Sequence, residues 1–147
     1  MRSVVQRVKN AKVEIDGNIS GEIQEGLLVL LGVCDDDTDA GLKWLADKII
    51  GLRIFSDEND KMNLSLRDVN GGLLIVSQFT LYGDCKKGRR PNFTSAGASD
   101  FAKEMYLKFV DYCKTQVDVT ETGVFGADMQ VSLLNDGPVT LILDSKE

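Results

Sequence analysis

The sequence contains no histidine among its 147 residues. A Ser-His-Asp or Cys-His nucleophilic couple is therefore excluded, and so is a zinc site with histidine ligands. If the protein is an enzyme, its proton transfers must use carboxylates, backbone groups, water or the substrate itself. The three cysteines are an odd number at scattered spacings, which indicates reduced thiols rather than a disulfide framework.

Long hydrophobic runs are also missing. No stretch approaches the ~18 consecutive apolar residues of a membrane-spanning helix, and the first residues do not resemble a signal peptide. The sequence therefore predicts a cytoplasmic protein with no membrane contact. The length corresponds to one domain, so we expect a single domain over 1–147 with a core of its own. No metal or other cofactor is predicted, because the acidic run 35–39 lacks the pattern of a calcium loop and is interpreted as a helix cap.

The charge of the chain is unevenly distributed. A net charge of −6 argues against a protein that binds polyanions over its whole surface. One short segment is nevertheless strongly basic, and its members, the basic cluster, are Lys86, Lys87, Arg89 and Arg90. A solvated loop would explain the basic cluster about as well as a phosphate contact. Its position directly after the central strand described next favours phosphate binding.

The segment 73–84 organises the rest of the prediction. Its four leading aliphatic residues follow an Asn-Gly-Gly turn and predict a strand buried on both faces. Hydrogen-bonding side chains then interrupt the apolar run around Phe79, at Ser77, Gln78 and Thr80. Such groups need a partner or a use when they are buried. They either bond neighbouring backbone at a strand end or present polar groups at the rim of a pocket.

The remaining pattern predicts about seven strands and two main helices. An Asp-Gly turn joins the first two strands, 2–15 and 19–23, into a β-hairpin. The first helix should bury Leu42, Leu45, Ala46, Ile49 and Ile50, which share one helical face. Because the helices fall between groups of strands, we expect an α/β fold with α+β character. Its sheet should be mixed and largely antiparallel, with both helices on one side.

A second polar interruption lies between the last two predicted strands, 129–134 and 139–143. Its Asn-Asp-Gly cluster at 135–137 is typical of a hairpin, but the proline that follows cannot donate to a strand ladder. We refer to residues 136–139 as the Gly-Pro turn. A cis bond between Gly137 and Pro138 would point their carbonyls the same way, ready to accept hydrogen bonds from an α-ammonium group. Arg7 is a lone arginine in a strand-like apolar context. It either reaches solvent at an edge or holds backbone carbonyls.

These two polar motifs resemble the signature pair of the D-aminoacyl-tRNA deacylase family. The motifs are Ser-Gln-Phe-Thr at 77–80 and Asn-Asp-Gly-Pro-Val-Thr at 135–140. Three further segments resemble the same family, namely 1–8, 87–91 and 122–127. The likeness therefore covers essentially the whole chain. It departs from the family around 97–100, where prolines are more common.

The resemblance implies a hydrolase that cleaves the ester between a D-amino acid and the terminal ribose of tRNA. Glycine mischarged on tRNA is a further implied substrate. The family fold is a three-layer α/β/β arrangement, and the implied assembly is a homodimer in which the Gly-Pro turn enters the partner's pocket. Gly137 and Pro138 would then select chirality, because their backbone collides with an L side chain while their carbonyls hold the α-ammonium group.

The resemblance also gives Ser77, Gln78, Phe79 and Thr80, the reaction wall, a catalytic role. Thr80 is a candidate nucleophile, yet no histidine is available to activate it. Attack by water, assisted by the 2′-hydroxyl of the substrate, is therefore favoured over direct attack by Thr80. The backbone N–H of Phe79 or nearby donors would stabilise the oxyanion.

The remaining expected contacts surround this reaction wall. Arg7 would brace the Gly-Pro carbonyls through its guanidinium fork. Phe125 and Met129 would line the pocket, with core packing as the alternative, and the basic cluster would meet acceptor-stem phosphates. Two other functions stay open, a non-catalytic module that binds an RNA end and a hydrolase of small D-amino acid derivatives.

Overall fold

The computed structural model describes residues 1–146, which form strands, two α-helices and one short 3₁₀-helix. The strands are β1 (Arg2–Ile15), β2 (Asn18–Ile23), β3 (Gly26–Gly32), β4 (Phe55–Ser56), β5 (Met62–Leu64), β6 (Gly72–Ser77), β7 (Thr120–Thr122) and β8 (Gln130–Asp144). The helices are α1 (Asp39–Gly51) and α2 (Ser99–Lys114), and the 3₁₀-helix spans Phe79–Tyr82. None of the helices within these residues is long and apolar enough to cross a membrane.

A six-stranded mixed sheet forms the centre of the fold. Its strands follow the order β2-β1-β3-β6-β7. β8 pairs with the edge of β1 that faces away from β2 and β3. β1 is antiparallel to β2, β3 and β8, whereas β6 is parallel to β3 and β7. The turn between β1 and β2 has positive φ at Asp16 (50°) and Gly17 (80°), as a type I′ hairpin requires. The predicted hairpin and the predicted mixed, largely antiparallel sheet are both confirmed.

Both helices pack on one face of the sheet. α1 buries the five residues that its periodicity predicted, and they share one hydrophobic cluster with α2 and with Leu73 and Ile75 of β6. The other face of β6, Leu74 and Val76, packs against residues of β1 and β2, including Ile23. Successive strand residues point to opposite faces, so β6 is buried on both sides. The result is the three-layer arrangement that the resemblance implied.

Two elements differ from the pattern in the sequence. β6 ends at Ser77, and the chain continues into the 3₁₀-helix. The pairing of β6 with β3 stops at Ser77, and one further bond joins the N–H of Gln78 to the carbonyl of Leu31 (2.8 Å). The last two predicted strands are one irregular strand, β8, whose register against β1 shifts on either side of Val8. The Gly-Pro turn lies at this irregularity, and the peptide between Gly137 and Pro138 is cis.

Two glycines face each other at the start of the pairing between β3 and β6. Gly26 lies opposite Gly72, and a Cβ added to Gly26 would be 1.9 Å from the carbonyl oxygen of Gly72. We expect Gly26→Ala to lower the free energy of unfolding by about 3 kcal/mol, because the obstructing atom belongs to backbone that is held in the sheet. Urea denaturation followed by circular dichroism measures the change.

Gly51→Ala is the matched control for this prediction. Gly51 is the last residue of α1, and a Cβ added there meets nothing within 4 Å. Its free energy of unfolding should change by less than about 1 kcal/mol, in the stabilising direction, because alanine favours helix. Equal destabilisation by the two substitutions would contradict the close backbone approach.

Candidate active site

A cavity of about 520 Å³ opens at the carboxyl end of β6. Its walls come from four separate parts of the chain: the ends of β3 and β6, the start of α2, and the loop between β7 and β8. In β3 and β6, which are parallel, the carboxyl ends reach the same edge of the sheet. The fold therefore gathers the cavity from segments that are far apart in sequence.

Five residues predicted for the site line this cavity, namely Ser77, Gln78, Phe79, Phe125 and Met129. Phe125 also packs against the ring of Tyr106, with centroids 5.9 Å apart, and Phe125 belongs to the edge of the core. Lining the cavity and packing the core are thus compatible for Phe125. Phe79 is 56% exposed at the mouth.

Thr80 lies on the exposed side of the 3₁₀-helix and is not among the lining residues. Its hydroxyl oxygen accepts a hydrogen bond from the side-chain amide of Gln78. An amide N–H can stabilise a lone pair of this oxygen, but it cannot take the hydroxyl proton. The geometry around Thr80 therefore supplies no base that would activate it as a nucleophile.

Tyr106 is the one titratable side chain among the described residues that line the cavity. Burial raises the pKa of its phenol to about 12. The hydroxyl donates to the carbonyl oxygen of Ile75 at 2.8 Å. Tyr106 is therefore protonated near neutral pH and already engaged, so it is a wall of the cavity and not a general base.

Gly137 and Pro138 lie away from the cavity of their own chain, in the exposed middle of β8. The φ of Gly137 is 148°, and a Cβ there would come within 2.7 Å of the Val139 side chain, so this position requires glycine. The side chain of Asn135 closes the turn by accepting from the N–H of Val139 (2.8 Å) and donating to its carbonyl (3.1 Å). Sequence reasoning did not assign this role to Asn135, although asparagine is a common partner of turn backbone.

Arg7 supports the Gly-Pro turn through a hydrogen bond to its backbone. Its Nε donates to the carbonyl of Asp136 at 2.9 Å, and a terminal nitrogen donates to the carbonyl of Ile54 at 2.6 Å. Only 11% of the side chain is exposed. Arg7 thus holds backbone carbonyls, the second of its two sequence interpretations. Within the Gly-Pro turn, the carbonyl that it reaches belongs to Asp136, one residue before Gly137.

The basic cluster lies in an exposed loop beside the reaction wall. Two backbone hydrogen bonds between Asp84 and Asn92, at 2.7 and 2.9 Å, close this loop. Across residues 1–146, no ion pair involves a member of the basic cluster. Phe93 follows the loop, and its ring meets the ring of Phe79 edge-on with centroids 5.1 Å apart. Phe93 is a residue of this region that the sequence did not reveal.

The similarity of this chain to known proteins extends over nearly its full length. The family model described as D-Tyr-tRNA(Tyr) deacylase matches residues 4–144. The chain belongs to this family. The resemblance seen in its motifs is therefore confirmed.

Individual members of the D-Tyr-tRNA(Tyr) deacylase family are similar at high identity. A protein of Thermosipho africanus named D-aminoacyl-tRNA deacylase is 65% identical over 147 residues, covering 100% of this chain and 99% of that protein. One of Fusobacterium nucleatum with the same name is 58% identical and covers 100% of this chain and 97% of its own length.

Two solved structures share the family fold. One, titled c-Myc DNA Unwinding Element Binding Protein, has a TM-score of 0.93 at 39% identity and covers 98% of both chains. The other, titled as a structural analysis of a probable eukaryotic D-amino acid tRNA deacylase, has a TM-score of 0.84 over 97% of both chains. Its identity is 18%, so it supports the fold alone.

Proposed function

We propose that this protein is a D-aminoacyl-tRNA deacylase. It hydrolyses the ester that joins a D-amino acid to the 3′-terminal ribose of tRNA and releases both products. The observation that carries the proposal is 65% identity, over the whole chain, to a protein named for this activity. Since aminoacyl-tRNA is used in the cytoplasm, we assign the protein to that compartment.

We propose that the active assembly is a homodimer joined through β8. β8 is an edge strand of the sheet, and it leaves Leu134 52% and Ile142 74% exposed. Long edge strands with exposed apolar side chains pair readily with another chain. A two-fold arrangement would cover this edge with its own copy. The Gly-Pro turn lies in the middle of β8 and outside its own cavity, which supports its entry into the cavity of the partner.

The Gly-Pro turn is the proposed selector of chirality. The carbonyls of Gly137 and Pro138 would accept hydrogen bonds from the α-ammonium group of the substrate. The backbone of the turn would then exclude an L side chain and leave room for a D side chain. Exclusion requires a rigid surface, and the contacts of Asn135 and Arg7 with the turn backbone supply rigidity. Glycine has no side chain to exclude, so glycine mischarged on tRNA is a further proposed substrate.

The proposed reaction uses water as the nucleophile. The described cavity residues include no group that would act as a base near neutral pH, so we assign the proton transfer to the 2′-hydroxyl of the terminal ribose. This hydroxyl would accept a proton from the attacking water and donate its own to the 3′-oxygen, which leaves as the ester bond breaks. Ser77 and Gln78 line the site, and the N–H of Phe79 would stabilise the oxyanion that forms at the ester carbonyl. Direct attack by Thr80 is the alternative, and the amide that bonds its hydroxyl does not favour it.

Chiral discrimination is the decisive test of the function. We expect the purified protein to deacylate D-tyrosyl-tRNA about 100-fold faster than L-tyrosyl-tRNA, a difference of roughly 2.7 kcal/mol between the two transition states. Release of labelled tyrosine measures both rates, with spontaneous hydrolysis as the baseline. Sedimentation of the same sample should show a dimer.

Other results of this assay identify the rival functions. Equal rates on the two substrates, or a monomer, would contradict the proposed selector. Protection of the ester below the spontaneous rate would indicate a module that binds RNA ends. Equally fast hydrolysis of a free D-tyrosine ester would indicate an esterase of small molecules.

Thr80→Val separates the two mechanisms. We expect the single-turnover rate on D-tyrosyl-tRNA to stay within about threefold of the unmodified protein, because water and the 2′-hydroxyl perform the attack. A loss of about 10³-fold or more would establish Thr80 as the nucleophile. The pKa of Tyr106 is raised to about 12, so this side chain does not titrate between pH 6 and 9. Changes of the rate with pH in this range should therefore reflect the substrate and be the same in the unmodified protein and in Thr80→Val. Thr94→Val, on an exposed loop residue, is the control.

The basic cluster is the proposed contact for acceptor-stem phosphates. The Kd for uncharged tRNA should rise steeply between 50 and 200 mM salt. Replacing both Lys87 and Arg89 by Gln should reduce the slope of log K against log salt by roughly 1.8, at about 0.9 per lost phosphate contact. Replacing the exposed pair Lys103 and Lys114 of α2 by Gln removes the same charge elsewhere and should leave the slope unchanged. A flat salt response would count against the proposed contact.

A further inference from the structure

The 3₁₀-helix carries half of the reaction wall and is only four residues long. At its two ends, the N–H of Leu81 bonds the carbonyl of Gln78 (3.3 Å) and the N–H of Gly83 bonds the carbonyl of Thr80 (3.0 Å). A single 3₁₀ turn is too short to be stable by itself. Phe79, at the mouth of the cavity, and Thr80, outside its lining, are both exposed to solvent. Contacts from outside the turn must therefore fix their position.

Arg2 supplies two such contacts with its guanidinium group, which also binds Asp144. A terminal nitrogen donates to the carbonyl of Leu81 at 3.1 Å, and the guanidinium carbon lies 4.8 Å from the centroid of the Tyr82 ring. Nε donates to the carboxylate of Asp144 at 3.0 Å. The planar fork of arginine can bond and stack at the same time, whereas an ammonium group is a single point charge.

The ring of Tyr82 connects the same turn to the sheet. A Cβ added to Gly32, the last residue of β3, would lie 3.2 Å from two atoms of this ring. Tyr82 therefore rests directly on the backbone at the end of β3. Arg2 and Gly32 together define where the carboxyl end of the 3₁₀-helix lies.

Stability alone does not account for the arrangement around Arg2. Its side chain is 40% exposed, and ion pairs at such sites contribute little to folding. Its partners are nevertheless specific: a turn that carries the reaction wall, and Asp144 at the end of the strand that carries the Gly-Pro turn. The contacts of Arg2 thus connect the 3₁₀-helix with β8, the two elements that carry parts of the motifs on which the proposed function depends.

We infer that Arg2 is a positioning residue for deacylation. It holds the 3₁₀-helix against β1 and β8, so that Phe79 keeps its place at the mouth of the cavity and Thr80 keeps its place beside Gln78. The inference rests on the proposed function. It adds a residue that belongs to neither signature motif and acts through the reaction wall rather than on the substrate.

The experiment compares Arg2→Lys and Arg2→Ala with Lys12→Ala. Lys12→Ala is the matched control because it removes a basic side chain of similar exposure, together with its ion pair to Glu14 at 2.9 Å, from the same strand. Hydrogen–deuterium exchange of a peptide covering 78–84 measures positioning without reference to activity. We expect this peptide to exchange about tenfold faster in both Arg2 variants than in the unmodified protein. In Lys12→Ala its exchange rate should be unchanged. Melting temperatures confirm that each variant is folded.

Single-turnover deacylation of D-tyrosyl-tRNA measures the consequence. Since small displacements of reacting groups are costly, we expect a loss of about tenfold or more in Arg2→Ala and a smaller loss in Arg2→Lys. The Kd for tRNA should stay within about twofold, because Arg2 acts through the turn. A parallel weakening of tRNA binding would overturn the inference, since Arg2 would then contact the RNA itself.

The two readouts separate failure of the inference from failure of the proposed function. Unchanged exchange in the folded Arg2→Lys variant overturns the inference whether or not the protein is a deacylase. Faster exchange with an unchanged rate also overturns it. If the unmodified protein does not deacylate D-tyrosyl-tRNA, the proposed function is wrong and the positioning role for deacylation is overturned with it.

Discussion

The parallel pairing of β3 with β6 is the constraint on which the rest of the structure depends. Its register runs from Gly26 opposite Gly72 to Leu31 opposite Ser77. A shift of one residue would turn Leu73 and Ile75 away from the helices, because strand side chains alternate between faces. The same register brings Ser77 to the edge where the cavity opens. The position of the polar residues is thus inherited from the packing of the apolar ones.

Local patterns in the sequence predicted the elements that are held by periodic burial. The five buried residues of α1 share one helical face, and the aliphatic run of β6 is buried on both sides. Both follow from the regular repeat of a helix or a strand. The 3₁₀-helix was not predicted, because its residues are exposed or only partly buried and show no such repeat. The continuous β8 was not predicted either, since the irregularity opposite Val8 depends on pairing with β1.

The candidate site was predictable as residue types but not as contacts. Ser77 and Gln78 stood out because polar groups rarely end a run of buried aliphatics without a reason. Phe125 entered through the family resemblance, and only the folded chain brings its ring to the same cavity. The contacts of Arg7 with Ile54 and Asp136 join positions 47 and 129 residues apart. A local sequence pattern does not reveal contacts between residues that are so far apart along the chain.

The exposed middle of β8 has a consequence for how substitutions would act in the proposed assembly. The Gly-Pro turn of each chain would enter the cavity of the other chain. A defect in the turn would therefore spare the cavity of the chain that carries it and damage the cavity opposite. In a mixed population of subunits, an intact cavity would fail whenever its neighbour is defective, and a damaged turn would be harmless to its own bearer.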